Sequence, residues 1–317
     1  MKILTCFSFI LATVLFSVAL AEPKNPTMVD GQDEQIMLYN GEPPGKPVWN
    51  NTGPIPETVF DKYGYYRFVR DPAIDVFHAK GSKLTRAAVI ICPGGSYSGL
   101  AFRKEGITTA KWFRDRGITA MVLRYRFAPY RYPVPMTDVQ RAIQLVRSNA
   151  VKWDIDPGRV GVMGFSAGGH TASTATVNHV AADPQSDDPV RRVGSRPDFS
   201  VLVYPVITME MPTTHSGSRK NLLGPDPDDE LINQASSHKH VSDRTPPTLL
   251  VCSEDDTVVP IRNSQLFLEA LKAKGVKCKM LTYGQGGHGY GLGKKGTDAT
   301  AWPEECLKWM REIELLN

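Results

Sequence analysis

Arg159-Val160-Gly161-Val162-Met163-Gly164-Phe165-Ser166-Ala167-Gly168-Gly169-His170 runs from an apolar stretch through Gly-x-Ser-x-Gly into small helix-forming residues. Val160 to Phe165 has the short, continuous apolar character of a strand buried on both faces, and Ala167 to Val180 reads as a helix of small side chains. A serine at such a junction lies on a sharp turn with a strained backbone. Glycines two positions to either side let strand and helix pass close without a Cβ clash, so the hydroxyl is held clear of the sheet. The spacing makes Ser166 a candidate nucleophile.

Outward from that stretch the chain alternates between strand and helix. Ala87 to Cys92 is another β-branched apolar run, ended by Pro93-Gly94-Gly95-Ser96-Tyr97. A helix is expected from about Glu105 to Arg116, stopped by Gly117, and Thr119 to Arg124 is the next strand. Thr137 and Gln140 have capping-box spacing ahead of the apolar helical face Val139, Ile143, Val146 and Ala150. Ser200 to Tyr204, Thr248 to Cys252 and Lys277 to Tyr283 read as strands, and Asn263 to Lys274 and Pro303 to Leu316 as helices. Between Val206 and Pro247 no strand is evident, only an acidic helix candidate at Asp228 to Ala235, and an insertion there can wall a binding site. Two short strands, Tyr65 to Val69 and Ala73 to Ala79, are expected to pair as a hairpin around Arg70-Asp71-Pro72. This order argues for an α/β domain with a mostly parallel sheet flanked by helices on both faces, and it contains no internal repeat.

Met1 to Ala21 has Lys2 near its start, an apolar core from Ile3 to Leu20 and Ala19-Leu20-Ala21 as a small-x-small cleavage site, the pattern of a secretory signal peptide. Residues 22–58 are rich in Pro and Gly and read as an extended arm on a domain covering residues 59–317. The 41% hydrophobic and 22% charged composition of the full 317 residues is that of a globular chain. A net charge of +4 with dispersed basic residues gives no electrostatic case for nucleic acid, and no stable membrane insertion is expected after cleavage. Cys92, Cys252, Cys278 and Cys306 lie too far apart for a zinc site or a disulfide framework. They read as buried thiols, with Cys278 and Cys306 the one bridge to test.

A serine nucleophile needs a base, and the base needs a group that holds its tautomer. Two loops follow the last two strands at their carboxyl ends, where an open parallel sheet has its crevice. The second, Gly284-Gln285-Gly286-Gly287-His288-Gly289-Tyr290, carries His288, the one histidine in a glycine-rich loop directly after a core strand. The first offers Glu254, Asp255 and Asp256; Asp256 is preferred because an orienting carboxylate sits on the turn rather than at the strand tip. His170, one turn after Ser166, reads as a packing residue, His179 and His215 as surface or structural, and His238 with His240 lack a third metal ligand. Gly94, Gly95 and Ser96 can turn their N–H groups inward beside the amide of Ala167 as an oxyanion hole. Tyr97, Tyr290 and Trp302 are candidate aromatic walls for substrate. The chemistry calls for no metal or organic cofactor.

Cys92 to Tyr97, the segment from Arg124-Tyr125-Arg126 to Asp138-Val139-Gln140-Arg141-Ala142-Ile143, and Asp156-Pro157 followed by Gly161 to His170 resemble the secreted α/β-hydrolase esterases of the acetylxylan esterase or xylanase-B-like group. The resemblance covers about Ala87 to Trp309. It implies an α/β-hydrolase fold with Ser166, Asp256 and His288 as triad and the Pro93 to Tyr97 loop with Ala167 as oxyanion site. The chain departs at Ser96, where such loops usually carry a third glycine. The implied function is a secreted serine carboxylesterase that removes small acyl groups, acetyl foremost, from plant polysaccharide or its oligosaccharides through an acyl-enzyme. The alternatives are a peptidase of the prolyl-oligopeptidase kind, which usually carries a gating domain that this length does not accommodate, and a non-catalytic carbohydrate-binding protein on the same fold.

Overall fold

The computed structural model describes residues 29–49, 53–81 and 83–316; the expected signal peptide, residues 1–21, lies outside them. In chain order the strands and helices are β1 (Glu34–Met37), β2 (Val59–Phe60), β3 (Tyr66–Phe68), β4 (Ala73–Phe77), β5 (Ala88–Cys92), α1 (Thr108–Arg114), β6 (Thr119–Arg124), α2 (Val134–Ser148), β7 (Val160–Phe165), α3 (Ala167–Val177), β8 (Ser200–Val203), α4 (Ser216–Leu223), α5 (Asp229–Gln234), β9 (Thr248–Ser253), α6 (Arg262–Ala273), β10 (Cys278–Tyr283) and α7 (Trp302–Glu312). Eight strands form one sheet in the order β1-β4-β6-β5-β7-β8-β9-β10. From β6 to β10 all neighbours are parallel, whereas β4 is antiparallel to both β6 and β1.

The central strands β4 to β9 are buried at every residue, which is why they read as unbroken apolar runs and not as alternating ones. The chain leaves β5 toward β6 through α1 and returns across to β7 through α2. With right-handed crossovers, that reversal sends α1 and α2 to opposite faces. Helices α3 and α6 continue on the α2 side, and α7 returns to the α1 side, where Glu304 pairs with Arg116 at 2.8 Å. The reversal falls between β5 and β7, so the loops after these two strands diverge and leave a crevice at their carboxyl ends.

Three expectations from the sequence are corrected. The hairpin between residues 65–69 and 73–79 does not form: β4 has both edges taken, by β1 and β6, so β3 pairs instead with β2 in a separate two-stranded sheet. The strand β1 that fills one of those edges comes from the segment expected to be only an arm on the surface. Helix α2 begins a turn before the capping-box threonine. Pro135 is tolerated in the first turn, where no intrahelical N–H is needed, and the Thr137 hydroxyl bonds to the Val134 carbonyl inside the helix. Cys92, Cys252, Cys278 and Cys306 are free thiols; Cys92, Cys252 and Cys306 are buried as the packing reading has it, whereas Cys278 is half-buried.

Candidate active site

Ser166 is the last residue before α3 and has φ 53° and ψ −120°. A β-carbon adopts that left-handed conformation only under constraint. The constraint is visible on both sides: the Ser166 amide still donates to Val203 of β8 (3.0 Å), and its carbonyl already accepts from His170 of α3 (3.1 Å). The flanking glycines permit the turn. A β-carbon on Gly164 would stand 2.3 Å from the Gly168 carbonyl, and one on Gly168 would stand 2.1 Å from that of Cys92.

The loops after β9 and β10 deliver two further groups to this serine. His288 Nε2 lies 2.9 Å from Ser166 Oγ, and His288 Nδ1 lies 2.7 Å from Asp256 Oδ2. The other Asp256 oxygen accepts the Val258 and Val259 amides, both at 2.9 Å, so the carboxylate is fully engaged at the head of its turn. Asp255, the neighbour passed over in favour of Asp256, instead accepts the amides of Gly286 and Gly287 and shapes the loop that carries His288. Side-chain exposure falls from 16% at His288 to 2% at Asp256, so the imidazole joins the Ser166 hydroxyl to a buried carboxyl group. A hydroxyl facing an imidazole nitrogen, with the opposite N–H held by a carboxylate, can lose its proton as it attacks an electrophilic carbon.

The segment 93–97 is clamped from all sides. Tyr125 donates to the Pro93 carbonyl (2.6 Å), the Ala101 amide to Gly94 (2.8 Å), the Ser98 amide to Gly95 (2.9 Å), Asn221 of α4 to Ser96 (2.8 Å) and the Ala128 amide to Tyr97 (3.1 Å). Gly95, Ser96 and Tyr97 all have positive φ, 140°, 55° and 57°. With every carbonyl of the loop engaged, the amides of Gly95 and Ser96, and that of Ala167 at the start of α3, donate to no protein acceptor among the described residues. Gly94 is different and corrects the sequence reading. Its amide is already donated to Glu105 Oε2 at 2.6 Å, inside the protein, so it is not free to meet an oxyanion.

The aromatic walls expected from the sequence are also corrected. Tyr97 is only 1% exposed, and its hydroxyl lies 2.6 Å from both His170 Nδ1 and Thr171 Oγ1, tying the loop to α3. Tyr290 has an enclosed hydroxyl and packs its ring edge-on to Tyr204 at 4.5 Å. Trp302 is fully buried and donates to the Gly291 carbonyl at 2.9 Å. All three are packing residues, because each ring finds an interior partner on a distant element. His170 is buried as expected; burial lowers its basicity to a pKa of about 4, and its Nε2 lies 2.6 Å from the Ala235 carbonyl. His238 and His240 form no metal cluster, and no group of three metal-ligating residues occurs among the described residues.

Two residues at the site were given no role there by the sequence reading, which took His215 as surface or structural. His215, at the start of α4, accepts the Ser218 amide on Nδ1, which leaves the proton of the neutral ring on Nε2. Burial, then the nearby His288, depress its pKa. Glu105 was read only as the start of a helix to Arg116, but it lies within a π-turn at Phe102–Ile107 and is buried there. The signal that was available was a charged residue immediately before Gly106, whose β-carbon would collide with Val122 at 2.5 Å, so this face is pressed against the sheet.

Residues 74–271 match the BD-FAE family model. The chain is 35% identical over 230 residues to an acetylxylan esterase of Xylanibacter ruminicola, covering 71% of this chain and 45% of that protein. It is 36% identical over 209 residues to endo-1,4-beta-xylanase B of Butyrivibrio fibrisolvens, covering 64% of this chain and 32% of that protein. The chain thus spans less than half the length of these curated relatives. A solved structure, an acetyl ester-xyloside bifunctional hydrolase from Caldicellulosiruptor lactoaceticus, is 39% identical with a TM-score of 0.76, covering 90% of this chain and 98% of that one. Among the described residues no helix is long and apolar enough to cross a membrane.

Proposed function

The chain belongs to the BD-FAE family and has an α/β-hydrolase fold, and from that premise we propose that it is a secreted serine carboxylesterase that deacetylates plant polysaccharide or its oligosaccharides. The observation that carries the reading is the continuous contact from Ser166 Oγ to His288 to Asp256, with unpaired amides on the adjoining loop. Ser166 attacks the acyl carbonyl while His288 Nε2 takes its proton. Asp256 holds the imidazole in the tautomer that presents Nε2 as acceptor and stabilises the imidazolium. The oxyanion of the tetrahedral intermediate is met by the amides of Gly95, Ser96 and Ala167; Gly94 has no part in it. His288 then gives the proton to the sugar oxygen as its bond to the acyl carbon breaks, and water repeats the sequence on the acetyl-enzyme, releasing acetate. No step requires a metal or organic cofactor.

A polymer-bound acyl group as substrate is supported by the acetylxylan named for one similar protein, by the acetyl ester and xyloside named for the similar solved structure, and by the leader pattern of Met1 to Ala21. The experiment is acetate release from acetylated xylan, acetylated mannan and short acyl esters, beside ferulate release from feruloyl esters. The reading expects acetylated xylan or its oligosaccharides to give the highest kcat/KM. Preference for aminoacyl-proline amides over every ester would overturn it in favour of a peptidase.

A further inference from the structure

Glu105 is a carboxylate sealed in the interior, 4% exposed, beside a site whose chemistry makes no use of it. An ionised carboxylate is costly to bury unless its oxygens are met by donors. Both are met. Oε2 accepts the Gly94 amide at 2.6 Å, and Oε1 accepts the Tyr204 hydroxyl at 2.9 Å. Tyr204 in turn accepts the Gly291 amide at 2.9 Å, which leaves its own proton for Glu105. A glutamine could not replace this arrangement, because it has one acceptor oxygen and would set an NH₂ group against one of the two donors.

The two ends of this chain of three hydrogen bonds lie on opposite sides of the site. Gly94 immediately precedes the free amides of Gly95 and Ser96, and the place of its missing β-carbon is 2.9 Å from Ser166 Cβ. Gly291 follows His288 in the same loop, and the Tyr204 ring lies 4.9 Å from the His288 ring. Tyr204 is itself pinned to the sheet by its amide, which donates to Val251 at 2.6 Å. Strand β5, which feeds one loop, and β10, which feeds the other, are separated in the sheet by β7, β8 and β9. No sheet hydrogen bond fixes one loop relative to the other.

We infer that Glu105, acting through Tyr204, is a positioning residue: a buried strut that sets the oxyanion amides and the His288 ring at one spacing around Ser166. The inference rests on the reading that Ser166 and His288 carry acyl transfer.

The test is steady-state hydrolysis of p-nitrophenyl acetate by the full chain and by Glu105→Gln, Tyr204→Phe and the double variant, with fluorophosphonate labelling of Ser166 run in parallel. Glu105→Gln is expected to lower kcat about 10- to 100-fold with KM changed less than about threefold, as displaced groups slow chemistry more than binding. Tyr204→Phe keeps the ring and is expected to lower kcat about tenfold. The double variant is expected to be no slower than Glu105→Gln, because the two act as one unit. An unchanged kcat in either single variant, or multiplicative losses in the double, overturns the strut; if Glu105→Gln does not fold, Tyr204→Phe decides alone. Absence of labelling in the parent protein would instead refute the acyl-transfer reading, so the two failures are distinguishable.

Discussion

Replacing Gly168 by alanine adds one methyl group at the point where the nucleophile helix crosses the end of β5. The new carbon would stand 2.1 Å from the Cys92 carbonyl oxygen and 2.5 Å from that of Pro93. Carbon to oxygen contacts settle at about 3.3 Å or more, so one partner must retreat by roughly 1 Å. Neither obstacle is a side chain that can swing away: both are backbone atoms at the root of the loop carrying Gly95 and Ser96, and Gly168 is the second residue of α3. The retreat therefore separates the Ala167 amide from the Gly95 and Ser96 amides. Overpacking of this kind costs about 1–3 kcal/mol, a melting temperature lower by a few degrees. Misplacement by about 1 Å costs on the order of 10²-fold in rate. The expected result for Gly168→Ala, by calorimetry and p-nitrophenyl acetate hydrolysis, is a folded protein with kcat reduced about 100-fold. The control is Gly284→Ala in the His288 loop, where the added carbon has only the Asp298 carboxylate at 3.7 Å; it should change kcat by less than about threefold. Wild-type turnover and stability in Gly168→Ala would refute the argument from close approach.

Other consequences separate neighbouring groups or states. Asp256→Asn should lower kcat about 10³- to 10⁴-fold by favouring the wrong His288 tautomer, whereas Asp255→Asn, which touches only the Gly286 and Gly287 amides, should cost no more than about tenfold; the reverse order in one kinetic series would contradict the assignment. Burial holds the His170 imidazole neutral down to about 4, against its ordinary 6.5. Above pH 6.5 both folded and unfolded chains carry it neutral. Between 6.5 and 4 only the unfolded chain takes up the proton, so stability falls with falling pH, by about 3 kcal/mol over that window, and levels off below it. Calorimetric melting at pH 7 and pH 4.5 should show a shallower loss in His170→Gln than in the parent, and equal losses would contradict the linkage.

What the sequence revealed and what it hid divide along a physical line. The strand into Ser166, its two glycines and the loop with His288 are local patterns, since the turn imposes its residue types on its own neighbours. The choice of Asp256 over Asp255 was also local, a matter of where on a turn a carboxylate faces inward. Strand partners were not legible in the same way: Ala73 to Ala79 reads as a strand by itself, but which edges of it are free depends on β1, some forty residues earlier in the chain. Tyr97 and Tyr290 look like any aromatics beside a site, and only His170 and Tyr204 turn them into interior anchors. Glu105 was hidden for the same reason, because its partners at Gly94 and Tyr204 come from loops after two other strands.

The central claim is most directly tested by trapping the acyl-enzyme or its phosphonyl analogue. The full chain is treated with a fluorophosphonate, digested, and the modified peptide is sequenced by mass spectrometry. A single adduct on Ser166 is expected, formed at least 10³-fold more slowly in His288→Ala. An adduct on any other residue, or labelling of Ser166 at the parent rate without His288, would contradict the account.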